Sequence, residues 1–187
     1  MLLCRIFALS LLTVSTTALA DTVDVNLNDT SAQLQYIASM GHDTLGKAEM
    51  HAGVVYVDKR NLLGELGIMV KDDIGKNAPG FSVGVGIKAL TAKAKNNNAG
   101  ALALGGMLRY APFPDRRLGL IASLYYSPNI VTFGVADRYT ETGARMEYEI
   151  IPQAVVYLGY RRINFGIEAR SDAKLNEGVH LGMRIMF

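Results

Sequence analysis

From Thr22 onward apolar residues recur at every second position, and a period of two sustained over most of a chain restricts it to β-strands with one apolar face. Val23, Val25 and Leu27 alternate with Asp24, Asn26 and Asn28. Ala32, Leu34, Tyr36, Ala38 and Met40 follow, then Ala48, Met50, Ala52, Val54 and Tyr56 opposite Lys47, Glu49 and His51. Leu62, Gly64, Leu66, Ile68 and Val70 oppose Glu65 and Lys71, and Phe81, Val83, Val85, Ile87 and Ala89 oppose Ser82 and Lys88. Leu102, Leu104, Leu108 and Tyr110, then Leu118, Leu120, Ala122, Leu124 and Tyr126, continue the scheme. Thr142, Ala144, Met146, Tyr148 and Ile150 oppose Glu141, Arg145, Glu147 and Glu149, and Val156, Leu158 and Tyr160 lead to the last run. Helix signals are scarce.

These runs predict an all-β chain of about ten antiparallel strands, an even number suited to an up-and-down transmembrane β-barrel. Eight strands behind an irregular arm is the alternative, because the hairpin at Asp29-Thr30 is short. Breaks near residues 41 to 46, 72 to 79, 111 to 117 and 151 to 153 fall at one end of such a barrel. Those near 58 to 61, 90 to 98, 127 to 137 and 166 to 177 fall at the other. With Phe187 placed at the periplasmic side, the first set falls in the periplasm and the second outside the cell, and the second set holds the three longest breaks, the asymmetry expected of such barrels.

The same alternation would suit a soluble periplasmic barrel carrying an apolar ligand, with the apolar face turned inward. Three features favour lipid outside. No apolar-face position carries a charge, as expected where Lys or Arg at the bilayer midplane costs about 2–4 kcal/mol. Phe81, Tyr110, Phe113, Tyr148 and Phe187 gather near one set of strand ends, and Tyr56, Tyr126, Tyr139, Tyr160 and Phe165 near the other, as interfacial belts do. The chain has no tryptophan, which leaves that task to tyrosine. Gly84, Gly86, Gly105, Gly119, Gly143, Gly159 and Gly182 lie on the polar face and suit a crowded lumen.

Both ends are read as export and assembly signals. Residues 1 to 5 carry one positive charge, residues 6 to 14 are mostly apolar, and Ala18-Leu19-Ala20 fits a signal-peptidase site, so residues 1–20 are expected to be a cleaved signal peptide and 21–187 the barrel. The only cysteine, Cys4, would leave with the signal, which excludes disulfides from the mature domain. At the other end Val179, Leu181, Met183, Ile185 and Phe187 share one face. His180, Gly182, Ile185 and Phe187 match the polar, glycine, hydrophobic and terminal-aromatic positions of an outer-membrane assembly signal.

Leu124-Tyr125-Tyr126-Ser127-Pro128, Gly143-Ala144-Arg145 and Leu158-Gly159-Tyr160-Arg161, in that order and spacing, resemble the YfaZ family of outer-membrane proteins over residues 100 to 187 and the signal peptide. The resemblance implies an outer-membrane barrel and supplies no substrate.

The inward set is Glu49, His51, Glu65, Lys71, Lys88, Arg109, Glu141, Arg145, Glu147, Glu149, Arg161 and Arg184. The favoured reading is a charge network that fills the lumen, since side chains nearly fill a barrel of this size. A narrow pore for small polar solutes is the second reading; charges of both signs argue against strong ion selectivity. A barrel-borne hydrolase is the third, with His42, His51 or His180 as base beside Glu49 or Ser123, but no motif supports it and no catalytic residue is assigned. Three scattered histidines give no metal pattern, no cofactor is called for, and a net charge of +2 without basic runs excludes nucleic acid. The expected partners are outer-membrane lipids and, during biogenesis, periplasmic chaperones and the barrel-assembly machinery, with the folded protein a monomer in the outer membrane. Ile130, Val131, Phe133 and Val135 make one exposed loop unusually apolar.

Overall fold

The computed structural model describes residues 21–43, 46–57, 61–75, 78–94, 97–112, 117–134, 136–167 and 170–187. The signal-peptide assignment and Phe113 lie outside them, as does the His42 side chain. The strands are β1 (Thr22–Leu27), β2 (Ser31–Asp43), β3 (Gly46–Val57), β4 (Asn61–Asp73), β5 (Phe81–Ala94), β6 (Asn97–Tyr110), β7 (Leu118–Ser127), β8 (Thr132–Gly134), β9 (Ala136–Ile151), β10 (Ala154–Ile167) and β11 (Arg170–Met186).

Ten of the eleven form one closed antiparallel ring. Each pairs with its sequence neighbours, except that β7 passes over β8 to pair with β9, and β1 closes on β11. The closing ladder runs from Thr22↔Met186 to Leu27↔Leu181. Asp21 and Phe187 extend it by exchanging backbone hydrogen bonds of 3.0 and 2.9 Å. Short β8 rides on the rim of β6, pairing Thr132 with Ala101 and Gly134 with Ala99. The first hairpin is real, because Asn28 Oδ1 accepts the backbone N–H groups of Thr30 and Ser31 at 2.8 and 2.5 Å, the geometry of an Asx turn. The eight-strand alternative is therefore excluded.

The outer surface follows the alternation. Val25, Leu34, Val54, Leu66, Val85, Leu104, Leu124, Met146, Leu158 and Leu181 are all exposed on it. Among the described residues, outward charges stand only at its margins: Lys93, Arg138, Arg162 and Glu177 at the end away from Phe187, and Asp21 and Asp72 at the Phe187 end. Tyrosine hydroxyls anchor both margins, with Tyr160 donating to Glu177 at 2.5 Å and Tyr36 to Asp21 at 2.5 Å. A surface of large apolar side chains bounded by charge belongs in lipid; in water so large a patch would drive association. The apolar-ligand carrier, which needs these residues inside, is overturned.

Two of the long breaks are strand. Residues 91–98 lie almost wholly in β5 and β6, and 166–177 in β10 and β11. Polar residues there extend the ladders past the apolar band, where water solvates one face and hydrogen bonds still form. The residue 41–46 turn is likewise mostly strand: β2 bulges at Met40, Gly41 adopts φ 112°, and Asp43 pairs with Gly46. The expected asymmetry of loop length is absent, since the connections at 74–80 and 111–117 are both at the Phe187 end.

Candidate functional site: a layered lumen

Inward side chains fall into layers along the axis, and among the described residues the layer at the end away from Phe187 is mostly apolar, with Ser31, Ser127 and Asn176 buried at the same height. Val55, Val57, Leu63, Leu90, Ala92, Ala101, Ala103, Tyr125, Tyr139, Ile163 and Phe165 form one buried cluster. Leu63 and Ile163 are 1% exposed and Tyr139 0%. Tyr139 and Phe165 are cross-strand partners whose rings pack at 4.9 Å. They are not in the interfacial belt: Tyr139 shares its face with Glu141, two residues on, and Phe165 with Arg161, so both point inward. The lumen is thus charged over only part of its length.

Next to this cluster lies a polar layer that crosses the barrel. Lys88 Nζ on β5 is 2.9 Å from Glu141 Oε2 on β9 and 3.4 Å from Glu65 Oε2 on β4. Its ammonium also lies 4.4 Å from the centre of the Tyr125 ring, a cation–π contact. Tyr139 donates to Glu141 Oε2 at 2.5 Å. Glu65 Oε1 accepts from Gln33 at 2.7 Å and from Gln35 at 2.9 Å. Gln33 Oε1 in turn accepts from Asn26 at 2.7 Å and from Arg161 Nη1 on β10. Both the Lys88–Glu141 and Arg161–Gln33 links pass over two intervening strands of the ring, so they are chords across the lumen.

Toward Phe187 the charges hug the wall. Glu49 accepts from Lys71, with His51 Nε2 at 3.4 Å. Arg184 reaches Asp24 Oδ2 at 3.1 Å and Glu147 Oε1 at 3.2 Å, and Arg145 Nε is 3.0 Å from the same Glu147 oxygen. Tyr157 donates to Asp24 and holds the Arg145 guanidinium 4.9 Å from its ring centre. Glycines make room for these groups. A Cβ on Gly182 would lie 2.2 Å from the Tyr157 ring, one on Gly105 2.5 Å from Tyr125, and one on Gly159 2.7 Å from Arg145.

Between the crossing layer and the wall charges is a cavity of about 140 Å³, room for on the order of ten waters. Of the expected network, Glu49, Glu65, Glu141, Arg145, Glu147, Arg161 and Arg184 all sit in these layers. Arg109 and Glu149 do not join them: Arg109 lies over Gly119 near the end of β6, and Glu149 is two residues from the end of β9. Asp24, Gln33, Gln35, Tyr125 and Tyr157 are additional members, and their parity with recognised inward charges was the available signal. No hydrogen bond among the described residues links Ser123 to His51 or His180, whereas Glu49 lies 3.4 Å from His51 Nε2. Of the assembly-signal residues, Ile185 and Phe187 face outward, whereas His180 and Gly182 face the lumen, where His180 meets the Tyr157 ring edge-on at 5.9 Å.

The family model described as YfaZ precursor matches residues 3–187, which extends the relationship through residues 21 to 80. No curated protein matches the chain in sequence. Among solved structures, the KdgM porin in complex with disordered oligogalacturonate is similar over 90% of this chain and 99% of its own, with a TM-score of 0.50 and 9% identity. A chain solved in work on the in-meso crystallization of membrane proteins covers 90% of this one and 83% of its own, with a TM-score of 0.44 and 15% identity.

Proposed function

The chain belongs to the YfaZ family, and from that premise we propose that it is a small integral outer-membrane barrel whose lumen is a structural plug. The observation that carries the plug is the pairing of Lys88 with Glu65 on the neighbouring strand and with Glu141 across the lumen, backed by the buried Leu63–Tyr139–Ile163 layer. An ion moving along the axis would have to break a buried charge pair and then enter an apolar layer that repels water. The orientation follows the sequence reading, with Phe187 toward the periplasm. The role is non-enzymatic. The folded monomer has outer-membrane lipids as its surroundings, and periplasmic chaperones and the barrel-assembly machinery handle the chain on its way there.

The narrow-pore reading is the competitor, and conductance separates the two. The refolded barrel inserted into planar bilayers should be electrically silent. Stepwise currents from the unaltered protein would overturn the plug. Slower migration after boiling on SDS gels is expected of the closed barrel, and identical migration of boiled and unboiled samples counts against it.

A further inference from the structure

Lys71, Lys88, Arg145, Arg161 and Arg184 line the cavity together with the carboxylates Asp24, Glu65 and Glu141, while Glu49 behind Lys71 and Glu147 behind Arg145 and Arg184 pair with those cations from outside the lining. Those carboxylates are already engaged: Asp24 by Arg184 and Tyr157, Glu65 by Gln33, Gln35 and Lys88, and Glu141 by Lys88 and Tyr139.

Arg161 is the group left over. It is 8% exposed, and its Nη1 donates to Gln33, but its Nε and Nη2 are buried without a hydrogen-bond partner. No carboxylate oxygen among the described residues comes within ion-pair distance of it. Nε and Nη2 form the side-on edge of a guanidinium, whose two parallel N–H groups match two oxygens of one oxyanion. Leaving that edge unsatisfied in a buried site costs free energy that a bound anion would recover. The surroundings suit such a guest. Gly159, two residues before Arg161 on β10, lets Arg145 and His180 close in on the same wall: a Cβ there would lie 2.7 Å from Arg145 Cβ and 2.8 Å from His180 Nε2.

We propose that the lumen cavity binds one small oxyanion of the orthophosphate class, taken in side-on by the Nε/Nη2 edge of Arg161 beside Arg145 and His180. The inference rests on the plugged-lumen reading for its route: the apolar layer bars the far end, so the anion enters from the Phe187 end. A phosphate ester on a lipid offers the same chemistry, but a chamber of about 140 Å³ inside the wall suits the free ion.

The test is calorimetric titration of the full barrel, refolded in phosphate-free micelles, with inorganic phosphate. One saturable site is expected, weakened at least about tenfold in Arg161→Gln, since a charged hydrogen-bond pair is worth that much or more. If the glutamine variant does not refold, Arg161→Lys carries the test: it keeps the charge, loses the fork, and should also weaken binding about tenfold. Arg109→Gln, outside the cavity, should bind as the unaltered protein does. Absence of a saturable site, or equal binding by the Arg161 variants, overturns the proposal. Competition by dihexanoyl phosphatidic acid would overturn its assignment to a free ion. Conductance measured on the same preparation reports on the plug alone, so currents accompanying intact phosphate binding would reject the plug and leave the anion site standing.

Discussion

Gly182 and Tyr157 occupy one space: the tyrosine ring covers the inward face of the glycine so closely that a methyl group there would sit 2.2 Å from the ring Cζ. The residues are cross-strand partners on β11 and β10, and the ring is held in place because its hydroxyl donates to Asp24. The glycine of the assembly signal therefore has a packing role of its own.

Gly182→Ala should accordingly lower the stability of the folded barrel by about 1–3 kcal/mol, the cost of overpacking a filled interior. The penalty should shrink in a Tyr157→Leu background, where the ring is gone. Denaturant midpoints of the four proteins in micelles give the coupling, and a penalty independent of residue 157 would show that the contact is not its source.

Phe187 is the opposite case. Its backbone completes the seam with Asp21, but its side chain is 68% exposed. Phe187→Asp should lower the stability of the refolded barrel by no more than about 1 kcal/mol, as a charge near the membrane interface does, while reducing assembled protein in cells. Normal assembly of this variant would remove the sorting role from the residue.

Lys88→Met is expected to destabilise the barrel by about 3–5 kcal/mol, because it leaves Glu65 and Glu141 buried without their shared cation. Adding Glu141→Gln removes one orphaned charge and should restore part of the loss. A double variant no better than the single one would mean that Lys88 acts through its packing on Tyr125.

On the outer face, Leu66→Arg places a charge within the apolar band and should cost about 2–4 kcal/mol in bilayers. Arg162→Leu, at the margin beside Glu177, should cost far less. Equal penalties would refute the placement of the lipid boundary.

The outward face was legible residue by residue, because a strand's period of two needs no knowledge of its partners. The lumen was harder. Arg161 and Gln33 meet only after the ring closes, and nothing local in either strand announces the other. The apolar layer had a signal that was available: Val54-Val55 and Leu62-Leu63 are apolar on both faces at one height, so the inward member must meet other apolar groups. Tyr139 and Phe165 show the limit of reading strand ends by composition, since an aromatic ring there serves a lipid interface or a lumen equally well and only parity distinguishes them. The extended hairpins were obscured because polar residues end the hydrophobic pattern before the ladder itself ends.

Strand β1 contributes only six residues, fewer than any other in the ring. Beyond its end, β2 and β11 reach each other through side chains, with Asn176 Nδ2 donating to Ser31 Oγ at 2.9 Å. The wall there is thinnest in main-chain hydrogen bonds, and so is the place where thermal opening begins. Amide protons of β1 and of its partners in β11 would exchange with solvent before those of the long β9–β10 ladder, which makes the closure of the ring its least durable part.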